Sequence, residues 1–114
     1  MSDTTYYDKQ LAEAKAMYTT LKYGTFDETK YSDFFDTIKP YVKEEIMSNI
    51  NLNQNAISFM LAKEANSLMV NYFVDGDNKF ISTNYFIAGV PSFKDVTMEE
   101  LPTAIKEFYD KYVA

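Results

Sequence analysis

The hydrophobic positions near the start of the chain repeat at helical spacing. Apolar residues recur every three or four positions, which places them on one face of a helix. These residues are Tyr7, Leu11, Ala14, Tyr18 and Leu21. Thr5 and Asp8 have the spacing of a capping box, and Gly24 suits the left-handed position after a last turn. The pattern predicts a helix over Thr5–Tyr23 that packs inside the domain, with a coiled-coil dimer as the alternative.

Two more segments before the middle of the chain show helical spacing. Within Asp27–Ile38, four apolar residues are spaced so that they share one face of a helix. They are Tyr31, Phe34, Phe35 and Ile38. Pro40 ends this segment and suits the first position of another helix. A third helix is therefore expected over Tyr41–Ile50, with Val42, Ile46 and Ile50 on its inner side.

From residue 57 onward the apolar period changes to two. Alternation over Ile57–Ala62 and Leu68–Val74 predicts two strands that each bury one face. The segment Asp75–Asn78 has the composition of a hairpin turn, because Gly and Asn tolerate positive φ. A third strand is expected over Lys79–Ala88, ending at Gly89, Val90 and Pro91. The three strands would form an antiparallel meander.

The last segment returns to helical spacing. Leu101, Ile105, Phe108 and Tyr112 share one face. Thr97 and Glu100 have capping-box spacing, and Pro102 is expected either to open the long helix or to distort its first turn.

This order of elements predicts one α+β domain over residues 1–114. It contains three N-terminal helices, a three-stranded antiparallel meander and one C-terminal helix, with the helices on one face of the sheet. The alternative is a cone, similar to NTF2-like domains, in which the sheet curls around an apolar cavity that binds a small ligand.

The composition argues against an enzyme. The chain has no His and no Cys, and all eleven of its cations are Lys. It therefore lacks the most versatile catalytic and metal-binding groups and the best phosphate clamp. Asp75 and Asp77 resemble the start of a calcium loop, but Lys79 takes the place of the next ligand. Neither a cofactor nor a metal is expected.

The charge pattern limits the partners. The net charge is -6, spread evenly along the chain without a lysine cluster. Direct nucleic-acid binding is disfavoured, because it usually requires a basic stripe. The first residues do not resemble a signal peptide, and the apolar stretches are too short to span a bilayer. We expect a cytoplasmic protein without membrane contact, in the host cytoplasm if a phage encodes it. Use of Lys without Arg, with abundant Asn and Ile, is typical of the AT-rich genomes of many phages and mobile elements.

Tyrosine supplies the candidate binding residues. The chain has ten Tyr and nine Phe, and several Tyr fall beside the predicted inner stripes. Tyr is common at protein interfaces because it offers a large contact area with a polar tip. Together with the carboxylates of a predicted outward helix face, the candidates are Tyr6, Tyr23, Tyr41, Glu44, Glu45 and Tyr109.

These features favour a non-enzymatic domain that binds another protein. A small acidic inhibitor or adaptor, of the kind found in phages, mobile elements and immunity proteins, would bind a partner that has a basic surface. One alternative is a self-associating component of a virion or secretion system, through the first helix or an exposed edge strand. Another is the small-ligand pocket of the cone. A monomer and a homodimer are both compatible with the sequence.

Overall fold

The structure is a computed structural model that describes residues 5–75 and 78–114. Its largest element is a five-stranded antiparallel sheet. Each strand pairs with the next along the chain, so the sheet is a meander in the order β1-β2-β3-β4-β5. The strands are β1 (Met47–Leu52), β2 (Ala56–Lys63), β3 (Asn66–Asp75), β4 (Asn78–Ile87) and β5 (Val90–Val96).

Three α-helices accompany the sheet. They are α1 (Thr5–Thr20), α2 (Ser32–Ile38) and α3 (Leu101–Phe108). Short 3₁₀ turns at Glu28–Tyr31 and Lys39–Tyr41 flank α2, and a π-helical turn at Tyr109–Val113 extends α3. The class is α+β, but the predicted element count is wrong. Two helices precede the sheet where three were expected, and the described sheet has five strands where three were expected.

The predicted third helix over Tyr41–Ile50 is wrong, because most of this segment forms a turn and strand β1. Ser48, Ile50 and Leu52 point inward and are buried. Two-residue alternation therefore replaces the four-residue spacing that suggested a helix. Pairing with β2, which aligns Ile50 with Phe59, decides between the two patterns.

Strand β5 is the second element that was not predicted. Ala88 and Gly89 form a two-residue turn with φ values of 50° and 85°, and the chain then returns alongside β4. Pro91 does not stop the strand. In a two-residue hairpin the closing pair, here Ile87 and Val90, is hydrogen-bonded and the following pair is not. The Pro91 nitrogen therefore faces away from β4, where it interrupts no bond within the sheet.

Helix α1 ends earlier than predicted and by a different residue. Lys22, with φ of 62°, occupies the left-handed position expected for Gly24. The Tyr23 N–H donates to the Tyr18 carbonyl over 3.2 Å, and the Lys22 N–H donates to the Thr19 carbonyl over 2.9 Å. These are the two bonds of a Schellman motif. Its hydrophobic contact is present as well, because the Tyr18 and Tyr23 rings meet edge to face at 5.4 Å.

The capping box before α3 is confirmed. The Thr97 N–H donates to Glu100 Oε1 over 2.9 Å, and the Glu100 N–H donates to Thr97 Oγ1 over 3.2 Å. The hydrogen bond from the Thr97 backbone N–H, followed by an interaction with the Thr97 side chain, holds the pKa of the Glu100 carboxyl below its usual value. Pro102 lies in the first turn of α3, where a missing N–H costs no helical bond.

The core lies between the helices and one face of the sheet, which we call the inner face. Its strand residues pack against the buried stripes of the helices, including the predicted stripe of α1 at Tyr7, Leu11 and Ala14. The residues with no measurable exposure include Phe34, Ile38, Phe59, Leu61, Leu68, Val70, Leu101 and Ile105. These side chains occupy the space where the cone alternative would place an apolar cavity.

Candidate protein-interaction surface

The opposite side of the sheet, which we call the outer face, consists of the alternate strand residues that point away from the helices. Its Met, Phe and Pro members are Met47, Met60, Met69, Phe73, Phe80, Phe86, Pro91 and Phe93. Asn and Ser occupy most of its other positions, at Asn49, Asn51, Ser58, Ser67, Asn71, Ser82 and Asn84.

Several large apolar side chains of the outer face are open to solvent. Phe93 is 75% exposed, Phe80 58% and Phe86 48%, while Met69 on the central strand is 38% exposed. Phe73 and Phe80 stack with ring centroids 4.8 Å apart. The largest apolar patch on a protein surface is often a contact surface.

The outer face is almost free of charge. Among its described residues the charged ones are Asp75, at the end of β3, and Asp95, on the edge strand β5. A sheet with one solvated face normally shows polar and charged residues on that face, which keep the edges from associating. Here solvent meets Met, Phe, Asn and Ser instead.

A polar row crosses the middle of the outer face. The register aligns Asn51, Ser58, Asn71 and Ser82 across four strands, ending at Asp95 on the fifth. Ser58 Oγ donates to Asn71 Oδ1 over 2.8 Å. The row offers uncharged hydrogen-bonding groups between two apolar zones, the composition of an interface that needs no ion pair.

The sequence carries a signal for this face that apolar periodicity alone does not show. Residues 46–93 contain five charged residues, at Lys63, Glu64, Asp75, Asp77 and Lys79. The four that the structure describes lie at strand ends or turns. In an antiparallel sheet, charged residues at alternate positions usually indicate the face that meets solvent. When both sets of alternate positions lack charge, the sequence gives no such indication for either face.

Three of the predicted interface residues come together elsewhere. Tyr6, Glu44 and Glu45 line an open groove of about 980 Å³ between α1 and residues 36–45. Glu44 and Glu45 lie in a turn before β1, not on the helix expected for them. Lys9, Lys39 and Lys43 share the groove with these two acids and with Asp36. Three cations therefore face three anions, and the groove does not offer the acidic surface that a basic partner would select.

The other three predicted residues make contacts within the protein. The Tyr41 and Tyr109 rings are 5.3 Å apart, and Lys43 Nζ lies 5.3 Å from the centre of the Tyr109 ring. Tyr23 lies apart from them, against Tyr18 at the end of α1. The structure thus does not bring all six predicted residues into one surface.

Neither a metal cluster nor a membrane helix occurs in the part of the chain that the structure describes. Within residues 5–75 and 78–114, His, Cys, Asp and Glu do not gather in groups of three or more that could hold an ion. Asp77 of the calcium-like pattern and Gly76 of the predicted turn lie outside these residues. In the same ranges each helix is too short or too polar to cross a bilayer.

Comparison of the chain with protein-family models, with curated proteins and with solved structures found no match.

Proposed function

We propose that this protein is a non-enzymatic binding domain that holds a partner protein on the outer face of its sheet. One observation carries the proposal: a five-stranded sheet has a solvent-exposed face of Met, Phe, Asn and Ser with charge only at its margin. When a matching protein surface removes such a face from water, the apolar burial stabilises the complex.

The surrounding chemistry supports binding over catalysis. Without His or Cys, acid–base work would fall to Asp, Glu, Lys and Tyr. The groove that gathers several of these contains three lysines and three acids. A small domain of this kind can serve as an adaptor or inhibitor, because occupation of a partner's surface is itself the activity.

The test compares two substitutions at equally exposed apolar residues. Phe86, on the outer face, and Leu21, at the end of α1, are both 48% exposed. Phe86→Lys and Leu21→Lys therefore add the same charge at sites of equal accessibility. The natural chain and both variants are immobilised and exposed to lysate of the source cell, to which a differently tagged copy of the chain is added.

We expect at least one protein to bind the natural chain and Leu21→Lys equally and to bind Phe86→Lys about tenfold less, because a lysine in the contact loses its water without gaining a partner charge. Circular dichroism must show that all three proteins are folded. Equal capture by all three, or capture by none, would contradict the proposal.

A further inference from the structure

We infer that the protein held on the outer face is a second copy of this chain, so that two sheets stack face to face in a two-fold symmetric dimer. The inference rests on the proposed function, since it names the occupant of the same surface.

Charge favours a second copy over a charged partner. The chain carries a net charge of -6, so two copies repel each other over most of their surfaces. The outer face escapes this repulsion, because Asp75 and Asp95 lie at its margins. A partner with a charged surface would lose hydration there and find no opposite charge. A second outer face is neutral, apolar and rich in amides, and it matches the first.

The size of the face is adequate for a dimer. Five strands at about 4.8 Å spacing, with about six residues each at about 3.3 Å, form a surface of about 24 by 20 Å. Its projected area is about 480 Å², and the accessible area of protruding Phe and Met side chains is larger. Small stable interfaces bury about 600–1,000 Å² on each partner.

The arrangement of strands allows a symmetric contact without an acidic clash at the edge. Because β3 is the central strand, a two-fold axis through the centre of the face brings Met69 close to its copy. With the axis perpendicular to the strands, each strand lies over its own copy in the opposite direction, and the two Asp75 carboxylates lie at opposite ends of the contact. The two Asp95 carboxylates are then about 13 Å apart along β5, a separation of four residues at about 3.3 Å each. Stacked sheets pack about 10 Å apart, and flexible Met side chains adapt readily to such a gap.

Two other routes to a dimer are less favourable. The apolar stripe of α1, which could have formed a coiled coil, is buried inside the protein at Tyr7, Leu11 and Ala14. The edge of β5 presents Pro91, which has no N–H to donate, and the charged Lys94 and Asp95 nearby. Proline and charge are the usual means by which edge strands avoid pairing. Of these three surfaces, the outer face is the one that is both exposed and uncharged over most of its area.

The first measurement is sedimentation equilibrium over about 1–100 µM, a range that detects dissociation constants in the micromolar region. It compares the natural chain with Met69→Lys and Met17→Lys. Met17 is 56% exposed on α1 and Met69 38% exposed at the centre of the face, so both variants replace an exposed Met by the same charge. We expect a dimer for the natural chain and for Met17→Lys, and a dissociation constant at least about 100-fold higher for Met69→Lys, whose lysine meets its own copy.

A second measurement keeps the inference testable if Met69→Lys fails to fold. The chain has no cysteine, so Met69→Cys and Met17→Cys each contain a single thiol for a short bismaleimide cross-linker. Cross-linked dimer should form from Met69→Cys and not from Met17→Cys.

A natural chain that stays monomeric at all these concentrations would overturn the inference, as would equal dimerisation of the two Lys variants or equal cross-linking of the two Cys variants. A monomer would leave the proposed function standing, provided that Phe86→Lys loses a different captured protein. If Phe86→Lys loses none, the proposed function fails as well.

Discussion

The inner and outer faces of the sheet can be compared position by position, because every strand contributes alternate residues to both. On β3, Leu68 and Val70 have no measurable exposure, while Met69 between them is 38% exposed. On β2, Phe59 is fully buried beside the half-exposed Met60. The inner face is mostly Ile, Leu, Val and aromatic residues, whereas the outer face mixes Met and Phe with Asn and Ser. The strand sequences therefore favour the inner face as the core, although the outer face also carries large apolar side chains.

The difference separates folding from binding. Complete burial of a large apolar side chain contributes about 1.5–3 kcal/mol relative to leaving it in water, and the inner face collects this contribution from strands and helices together. A side chain such as Phe93, 75% exposed, contributes little to the monomer. Its apolar area can still stabilise a complex.

The strongest test of this separation applies one substitution to both faces. Phe59→Ala removes a fully buried ring and should lower the free energy of unfolding by about 3–5 kcal/mol, because it leaves a cavity. Phe93→Ala should change it by less than about 0.5 kcal/mol. Urea unfolding at low protein concentration, where a dimer dissociates, measures both. Equal losses would show that the outer face belongs to the fold and would remove the distinction.

A smaller effect is expected at the start of α3, the helix whose Leu101 and Ile105 cover the inner face. Thr97→Ala removes one half of the capping box and should cost about 1 kcal/mol. Thr103→Ala, an exposed change within the same helix, should be neutral or slightly stabilising, since Ala has the higher helix propensity. Thermal unfolding of the two variants compares them. A Thr97→Ala protein as stable as the natural chain would mean that packing on the inner face sets the helix without its cap.

An effect that appears only at high pH involves the buried Tyr7. Burial raises the pKa of its hydroxyl to about 12, with further contributions from the Glu28, Asp36 and Asp8 carboxylates. An unfolded tyrosine ionises near pH 10. The protonated form is thus favoured in the folded state, and its stabilising effect is complete below about pH 10 and is lost as the pH rises towards 12. Tyr7→Phe should therefore lose less stability than the natural chain between pH 9 and 11.5, as measured by urea unfolding. Tyr23→Phe, at an exposed ring, should behave like the natural chain, and identical behaviour of all three proteins would contradict this assignment.

The sequence alone was sufficient to predict an element where one face of that element packs on the core and the local turn or cap residues favour the same element. The alternation that predicted strands near Ile57–Ala62 and Leu68–Val74 corresponds to β2 and β3, and the capping box at Thr97 and Glu100 is present. In these places the periodicity and the turn or cap residues indicate the same element.

Pairing between strands decided the rest. Residues 41–50 contain both a four-residue and a two-residue apolar spacing, and the choice depends on β2, which lies further along the chain. For β5, Pro91 indicated the end of the preceding strand. Composition does not show that its nitrogen faces away from β4, where proline is tolerated within a strand. The outer face combines residues from five strands, so it becomes visible only when the register is known.

Pro91 also affects the behaviour of the protein at high concentration. An uncharged sheet with an open edge could recruit further chains strand by strand and grow into a cross-β fibril. The Pro91 nitrogen faces away from β4, towards the open edge of the sheet, and carries no hydrogen. It therefore interrupts the row of N–H donors that such growth requires. Growth at the β5 edge is thereby disfavoured, whereas association of two outer faces ends at a closed particle of two chains.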